Sequence, residues 1–316
     1  MMNKHILSYY CYLLSYKEQN KLKQNNKFLW LVYEGLRRFV QFSFNISLCI
    51  KSFFKIYPSP LKGDPNIVVS LTSFPKRINY VWAAIDSMFY QKIQPSKIYL
   101  YLSKEEFPNE LEGLPRRLLN YQKLGLEISF RDYNLMPHTK YFYALQEHTD
   151  KCVVTIDDDI YYPDNTISNL WELHSKHPDT VCANRVSVIS MDDNGDFKRY
   201  SHWHEKSDEM KEESFCYLAL GVAGVLYPPL NYGAKGMFII DNIKKLSFRA
   251  DDLWLKMHET MCGIKVSSRK YYCVGPTVEG TTVITLMSSN NGCGQNDLQW
   301  KNLCDYYHVT CEDFND

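Results

Sequence analysis

From residue 66 onward, apolar runs of strand length alternate with stretches of helical period. "NIVVSLTS" is continuously apolar at its centre, as a strand buried on both faces is. "NYVWAAIDSMFYQ" (79–91) has amphipathic helical spacing, "KIYLYL" (97–102) is a second strand, and "PRRLLNYQKL" (115–124) is a short helix. "LEISF" (126–130) is a third strand, "TKYFYALQEH" (139–148) a helix, and "CVVTI" (152–156) a fourth strand. This alternation predicts an α/β protein with a mainly parallel central sheet and helices on both faces. Neither internal repeats nor low-complexity tracts interrupt it.

The first part of the chain follows another pattern. Residues 28–57, "FLWLVYEGLRRFVQFSFNISLCIKSFFKIY", place Glu34, Arg37, Arg38, Gln41, Asn45, Ser52 and Lys55 at roughly helical spacing, with apolar residues on much of the other face. No uncharged stretch reaches the roughly 18 residues a membrane-spanning helix needs. The pattern suits a basic amphipathic helix lying in a membrane interface, or a helix packed on the body or on another subunit. "YPSPLKGDPN" (57–66) reads as a linker. The expected division is a helical arm, 1–63, and a catalytic-size domain, 64–316.

Charge sharpens that division. The 316 residues carry no net charge, yet residues 1–63 hold ten Lys/Arg against Glu18 and Glu34, an excess of eight positive charges that the remainder offsets. An arm that meets an anionic surface is expected. Ten cysteines occur singly without zinc-type spacing, and the opening residues lack a signal-peptide pattern, so free thiols in a reducing cytoplasm are expected. The 24 tyrosines fit core packing as well as sugar or base stacking and decide nothing alone.

The chemistry begins where the fourth strand runs into "DDD". Open α/β sheets bind ligands beyond the carboxyl ends of their strands. In an extended chain Asp157 and Asp159 would share a face, giving two hard oxygen donors. Mn2+ or Mg2+ suits such donors and takes its remaining ligands from water and a substrate phosphate. A solvated acidic turn is the plain alternative. In "RADDLWLKMH", Asp251 and Asp252 stand where a helix 252–258 begins, as caps or as functional carboxylates. "GVAGVLYPP" (221–229) has glycines for close approach or for a tight turn. In "RYSHWHE" (199–205), Trp203 suits an aromatic platform for an acceptor or a packed loop, and His202 with His204 lacks a third zinc ligand.

Five segments in order, "VVSLTSFPKRI", "KIYLYLSKEEFP", "CVVTIDDDIYYPDN", "GVAGVLYPP" and "FRADDLWLKM", resemble bacterial sugar-nucleotide-dependent glycosyltransferases of the GT-A fold, of the capsule and O-antigen type. The resemblance spans roughly residues 66–300. It implies a hexosyltransferase that takes a nucleoside-diphosphate sugar as donor and a glycan, or lipid-linked glycan, as acceptor, without nucleic acid. It implies that Thr72, Ser73, Arg77, Lys140, Asp157 and Asp158 bind the nucleotide sugar. Asp159, with Asp157, would hold the metal; Asp252, or else Asp251, would be the base; Trp203, Gly221 and Gly224 would line the sugar or acceptor. A surface arginine is the alternative for Arg77. The chain departs from the family in reading Asp-Asp where Glu-Asp is commoner, and in Ala223 within the glycine segment. The enzyme is expected in the cytoplasm, at the inner membrane face if the arm docks there. The rival readings are a metal-dependent phosphoester or glycoside hydrolase and a non-catalytic binding subunit.

Overall fold

The computed structural model describes residues 16–205, 210–269, 274–281 and 294–316. Residues 1–15 of the expected arm, and parts of the 66–300 span of resemblance, lie outside them. The chain opens with helices α1 (Tyr16–Asn25) and α2 (Lys27–Phe53), the latter capped by the Asn26 side chain, which accepts from the Leu29 amide. There follow β1 (Asp64–Thr72), α3 (Trp82–Met88), β2 (Pro95–Ser103), α4 (Arg116–Asn120), β3 (Leu126–Arg131), α5 (Thr139–Phe142), α6 (Ala144–Glu147) and β4 (Cys152–Thr155). Beyond them come α7 (Thr166–Lys176), β5 (Val181–Ala183), β6 (Val186–Val188), β7 (His204–Glu205), β8 (Glu213–Ser214), β9 (Tyr217–Ala219) and β10 (Val225–Tyr227). The last elements are α8 (Ile240–Leu246), α9 (Asp251–Met261), β11 (Val266–Ser268) and α10 (Gln295–Tyr307).

Among the described residues eight strands form the main sheet, in the order β3-β2-β1-β4-β10-β5-β11-β8, and β7-β6-β9 form a small second sheet. The first four strands are parallel; β10 enters antiparallel between β4 and β5. The expected α/β architecture is therefore present, with an antiparallel insertion that apolar runs alone do not reveal. The strand order reverses at β1, from which β2 and β3 lie on one side and β4 on the other. Such a switch point opens a crevice at the carboxyl ends of the two strands. Pairing of Ser70 with Thr155 brings the residues after both strands, Ser73 and Asp157–Asp159, into that crevice.

Two apolar cores flank the sheet. One gathers Ile67, Val69, Leu71, Ile85, Met88 and Val154 with Phe44 and Leu48 of α2. The other gathers Val68, Tyr101, Tyr141, Val153, Leu253 and Trp254. Alternation along β1 and β4 sends neighbouring residues to opposite cores, which is why both strands read as unbroken apolar runs. The second half of α2 is thus part of the body. Phe44 packs edge-on against Tyr161 at 5.1 Å. Lys51 pairs with the buried carboxylate of Asp86, which also accepts from Tyr121 (2.7 Å) and Tyr161 (3.1 Å). Among the described residues the cysteines are free.

Candidate active site

β4 ends at Thr155, and Asp158 and Asp159 lie in a turn. The expectation that strand alternation aims Asp157 and Asp159 together does not apply, because the extended backbone stops before them. Hydrogen bonds aim each carboxylate instead. Asp158 is buried, accepting from Ser73 Oγ at 2.6 Å and from Arg77 at 2.7 Å. The same guanidinium nitrogen lies 3.0 Å from Asp159 and the other terminal nitrogen donates to Thr281 O at 3.4 Å. Asp157 accepts from Lys140 Nζ at 2.8 Å, and its amide donates to Tyr162 Oη at 2.8 Å.

Lys140 joins the triplet to the later acidic pair. It opens α5, whose position is set by Ser70 Oγ donating to the Lys140 carbonyl. Its ammonium lies 2.9 Å from Asp251 at the N-terminus of α9. That end of α9 is steadied by His138, which is fully buried with one ring nitrogen 2.7 Å from Ser247 O and the other 2.9 Å from Tyr141 Oη. The carbonyl at Ser247 only accepts, so Nε2 carries the proton and Nδ1 accepts from the tyrosine. Helix α9 begins at Asp251, one residue before the expected Asp252.

Gly221 closes the group. β10 runs antiparallel to β4, so the short turn Gly221–Ala223 before it meets the end of β4. A Cβ on Gly221 would stand 2.8 Å from Lys140 Nζ, 3.4 Å from Asp252 Oδ1 and 3.5 Å from Asp157 Oδ1. Glycine here allows close approach between the turn and three charged groups. Gly224 serves another need: its φ of +87° favours glycine, and an added Cβ would meet Thr166 rather than the carboxylates.

Three expected residues bond or pack elsewhere than with the five carboxylates. Thr72 donates its hydroxyl to Tyr101 O on the neighbouring strand (2.8 Å). Gly224 shapes the turn into β10. Trp203 is buried in the second core, edge-on to Trp300 at 5.4 Å, with its indole nitrogen donating to Lys198 O. A ring packed on its partners offers no free platform. The aromatic of that loop within electrostatic reach of Asp251 and Asp252 is Tyr200. His202 and His204 are exposed, the latter 3.0 Å from Ser190 Oγ.

Electrostatics separate the five carboxylates. Burial pushes Asp252 well above the ordinary carboxylate range, and the Asp251 charge adds to it against Lys140. Burial also works to raise Asp251, but Lys140 and His138 outweigh it and hold that group low. Asp159 is pushed up to about 6 by burial and by Asp157, against Arg77. Burial raises Asp158 despite Arg77 and Ser73. Burial works to lower Lys140, yet Asp157, Asp251 and Asp252 raise it well above its usual value. Five carboxylates thus face two cations, Arg77 and Lys140, and three of the acids, Asp158, Asp159 and Asp252, are shifted towards holding protons more tightly.

That deficit and donor set fit a divalent cation. Asp157 and Asp159 are the partly exposed members of the triplet, with side chains 30% and 18% accessible. Among the described residues no three His, Cys, Asp or Glu converge as metal ligands. Two carboxylates with water and phosphate completing the shell is the ordinary pattern for Mg2+ beside a phosphorylated substrate.

Sequence reasoning missed His138, Tyr162 and the strap 274–281, and it preferred Trp203 to Tyr200 of the same loop. The strap pairs with the aspartate turn through Tyr161 N to Pro276 O (3.0 Å) and Val278 N to Asp159 O (2.8 Å). A histidine two residues before Lys140 was the one visible signal.

Residues 77–224 match the family model Glycosyl transferase family 2. This match, just under half of the chain, supports a GT-A glycosyltransferase. It includes Arg77, Lys140, the triplet, Gly221 and Gly224, while Ser73, Asp251 and Asp252 lie outside it. The solved structures found similar include a mannosyltransferase from Pyrobaculum calidifontis in complex with GDP-Man and Mn2+, at 13% identity and TM-score 0.48, covering 80% of this chain and 67% of that one. Another is S. aureus TarS 1-349 in complex with UDP, at 14% identity and TM-score 0.41, covering 67% of this chain and 59% of that one. A third is a CMP:2-keto-3-deoxy-manno-octonic acid synthetase with CTP, at 10% identity and TM-score 0.41, covering 74% and 100%. No curated protein sequence matches the chain.

Proposed function

We propose that the protein transfers a hexosyl group from a nucleoside-diphosphate sugar to a hydroxyl of a glycan, or lipid-linked glycan, in surface polysaccharide assembly. The observation carrying this reading is the cradle of Lys140, Asp157, Asp252 and Gly221 at the switch point of the sheet. The anomeric carbon–oxygen bond breaks, its electron pair leaves with the diphosphate, and the acceptor oxygen forms the new bond. Asp252 takes the acceptor proton. Its place beside Gly221 and its partial exposure suit a base, whereas Asp251 is tied to Lys140. Asp158, held by Ser73 and Arg77, fixes the turn that presents its neighbours. Arg77 and Lys140 supply positive charge beside the leaving diphosphate. Mn2+ or Mg2+, held by Asp159 with Asp157, would neutralise charge growing on that diphosphate as a Lewis acid.

The test is Mn2+-dependent thermal stabilisation by GDP-mannose and UDP-GlcNAc, the nucleotide sugars of two similar structures, followed by transfer assays with and without acceptor. The expected result is stabilisation that needs both metal and nucleotide, and turnover that needs acceptor. Asp159→Ala should keep the melting temperature of the unliganded protein and lose about 100- to 1000-fold in turnover. Sugar release to water at full rate without acceptor would indicate a hydrolase, and metal-independent activity of Asp159→Ala would remove the metal role.

A further inference from the structure

Helix α2 is apolar on two opposite faces, and the proposed reaction uses neither. The inner face, with Phe44 and Leu48, enters the core. The outer face presents Phe28, Leu36, Phe39, Phe42, Ile46 and Phe53; Phe39 is 67% exposed and Phe53 80%. At about 100° per residue these positions, Leu36 apart, fall within an arc of roughly 40–60° along the helix. The 27-residue helix makes this a stripe about 40 Å long. Soluble monomers rarely expose an apolar patch of that extent. No helix among the described residues is long and apolar enough to cross a membrane.

Charge selects the occupant. Lys21, Lys27, Arg38 and Lys55 are exposed on α1, on α2 and just beyond its end, and Lys23 lies over the Trp30 ring at 4.9 Å. Glu34 is the sole acid between residues 19 and 63, and its carboxylate is held by Arg37 (2.7 Å) and Arg38 (3.1 Å). A second copy would bring like charge against like charge. On one side of the stripe the positions where a coiled coil carries its ion pairs are mostly apolar, at Leu29, Leu36 and Ile50, and on the other Arg38 is taken by Glu34 of the same helix. A phenylalanine-rich face on a segment whose exposed charge is almost all basic complements an anionic lipid surface.

We infer that the outer face of α2 docks the protein flat on an anionic membrane, its phenylalanines entering the interface and the flanking lysines meeting lipid headgroups. The inner side of the same helix holds the site at a fixed height. Gln41 Nε2 donates to Thr277 O at 2.8 Å, on the strap whose Val278 amide donates to Asp159 O. This inference rests on the exposed face alone and stands apart from the proposed reaction.

Flotation of the full chain with phosphatidylcholine vesicles, with and without phosphatidylglycerol, tests it. Binding should require the anionic lipid, weaken with salt, and fall roughly fivefold for each charge removed in Lys27→Gln and Lys55→Gln. Phe39→Ser/Phe42→Ser/Phe53→Ser should lose on the order of tenfold or more in vesicle binding. Those side chains are exposed, so its melting temperature should match the wild type; a matched melt with unchanged vesicle binding overturns the proposal. Absence of wild-type binding to anionic vesicles does so too. A stable dimer in sedimentation velocity that the triple variant dissolves would assign the face to a second copy instead.

Discussion

Within the carboxylate cluster the two members of "DD" differ in state because one ammonium sits on only one of them. Asp251 lies 2.9 Å from Lys140, while Asp252, one residue on, is raised by burial and by Asp251 itself. Asp252→Asn is therefore expected to bind donor with little change in affinity and to lose at least about 100-fold in kcat. Asp251→Asn should weaken donor binding and leave more of kcat, because it frees Lys140. Isothermal titration and single-turnover rates on both variants separate these outcomes; the reverse pattern exchanges the two roles. Gly221→Ala tests the closeness of the cradle, since its new methyl would stand 2.8 Å from Lys140 Nζ, which two carboxylates pin. The expected result is a loss of about tenfold or more in kcat/KM with a stability change within about 1 kcal/mol.

At the scale of elements, α2 is held by one buried ion pair as well as by apolar packing. Asp86 is fully buried and takes the Lys51 ammonium together with two tyrosine hydroxyls. Removing the cation leaves a buried charge, so Lys51→Met is expected to cost about 3 kcal/mol or more, read from urea unfolding. Lys51→Met combined with Asp86→Asn should cost less than the sum of the two single changes, because no buried charge is left unpaired and the amide oxygen still accepts from one of the two tyrosines. Truncation before residue 58 would remove Phe44 and Leu48 from the core as well as the lysine. Point changes on the outer face are the informative ones. The strap 274–281 is the other element that matters, since its backbone holds both Asp159 and, through Thr281 O, Arg77.

For the whole molecule, acid stability follows from histidines buried neutral. Burial pushes His138 down to about 4 and His258 to about 3 from an ordinary 6.5. Both are uncharged in the folded protein at neutral pH. As pH falls below about 6.5 the unfolded chain takes up protons first, so stability present above that pH is lost progressively towards pH 4. For His138 the loss amounts to about 3 kcal/mol. Denaturation midpoints between pH 7 and 4 should fall steeply in the wild type and less steeply in His138→Gln. A parallel pH profile for that variant would mean that the imidazole does not titrate across folding.

The apolar runs of β1–β4 and the helical periods between them determined the α/β sheet, because burial on both faces leaves a local signature in each strand. The same reading placed "DDD" at a strand end and "DD" at a helix start, where side-chain chemistry and chain position coincide. Tertiary structure decided what these residues do to one another. Lys140 lies 17 and 111 positions from the two aspartates it joins, and no local pattern reports such a pairing. It also gave the Trp203 indole a core to fill and the Thr72 hydroxyl a neighbouring strand to bond. The insertion of β10 between β4 and β5, which carries Gly221 to the carboxylates, rests on pairing between segments some seventy residues apart. Burial and periodicity act within a few residues and are written along the chain; ion pairs and sheet order act across it and exist only once it has folded.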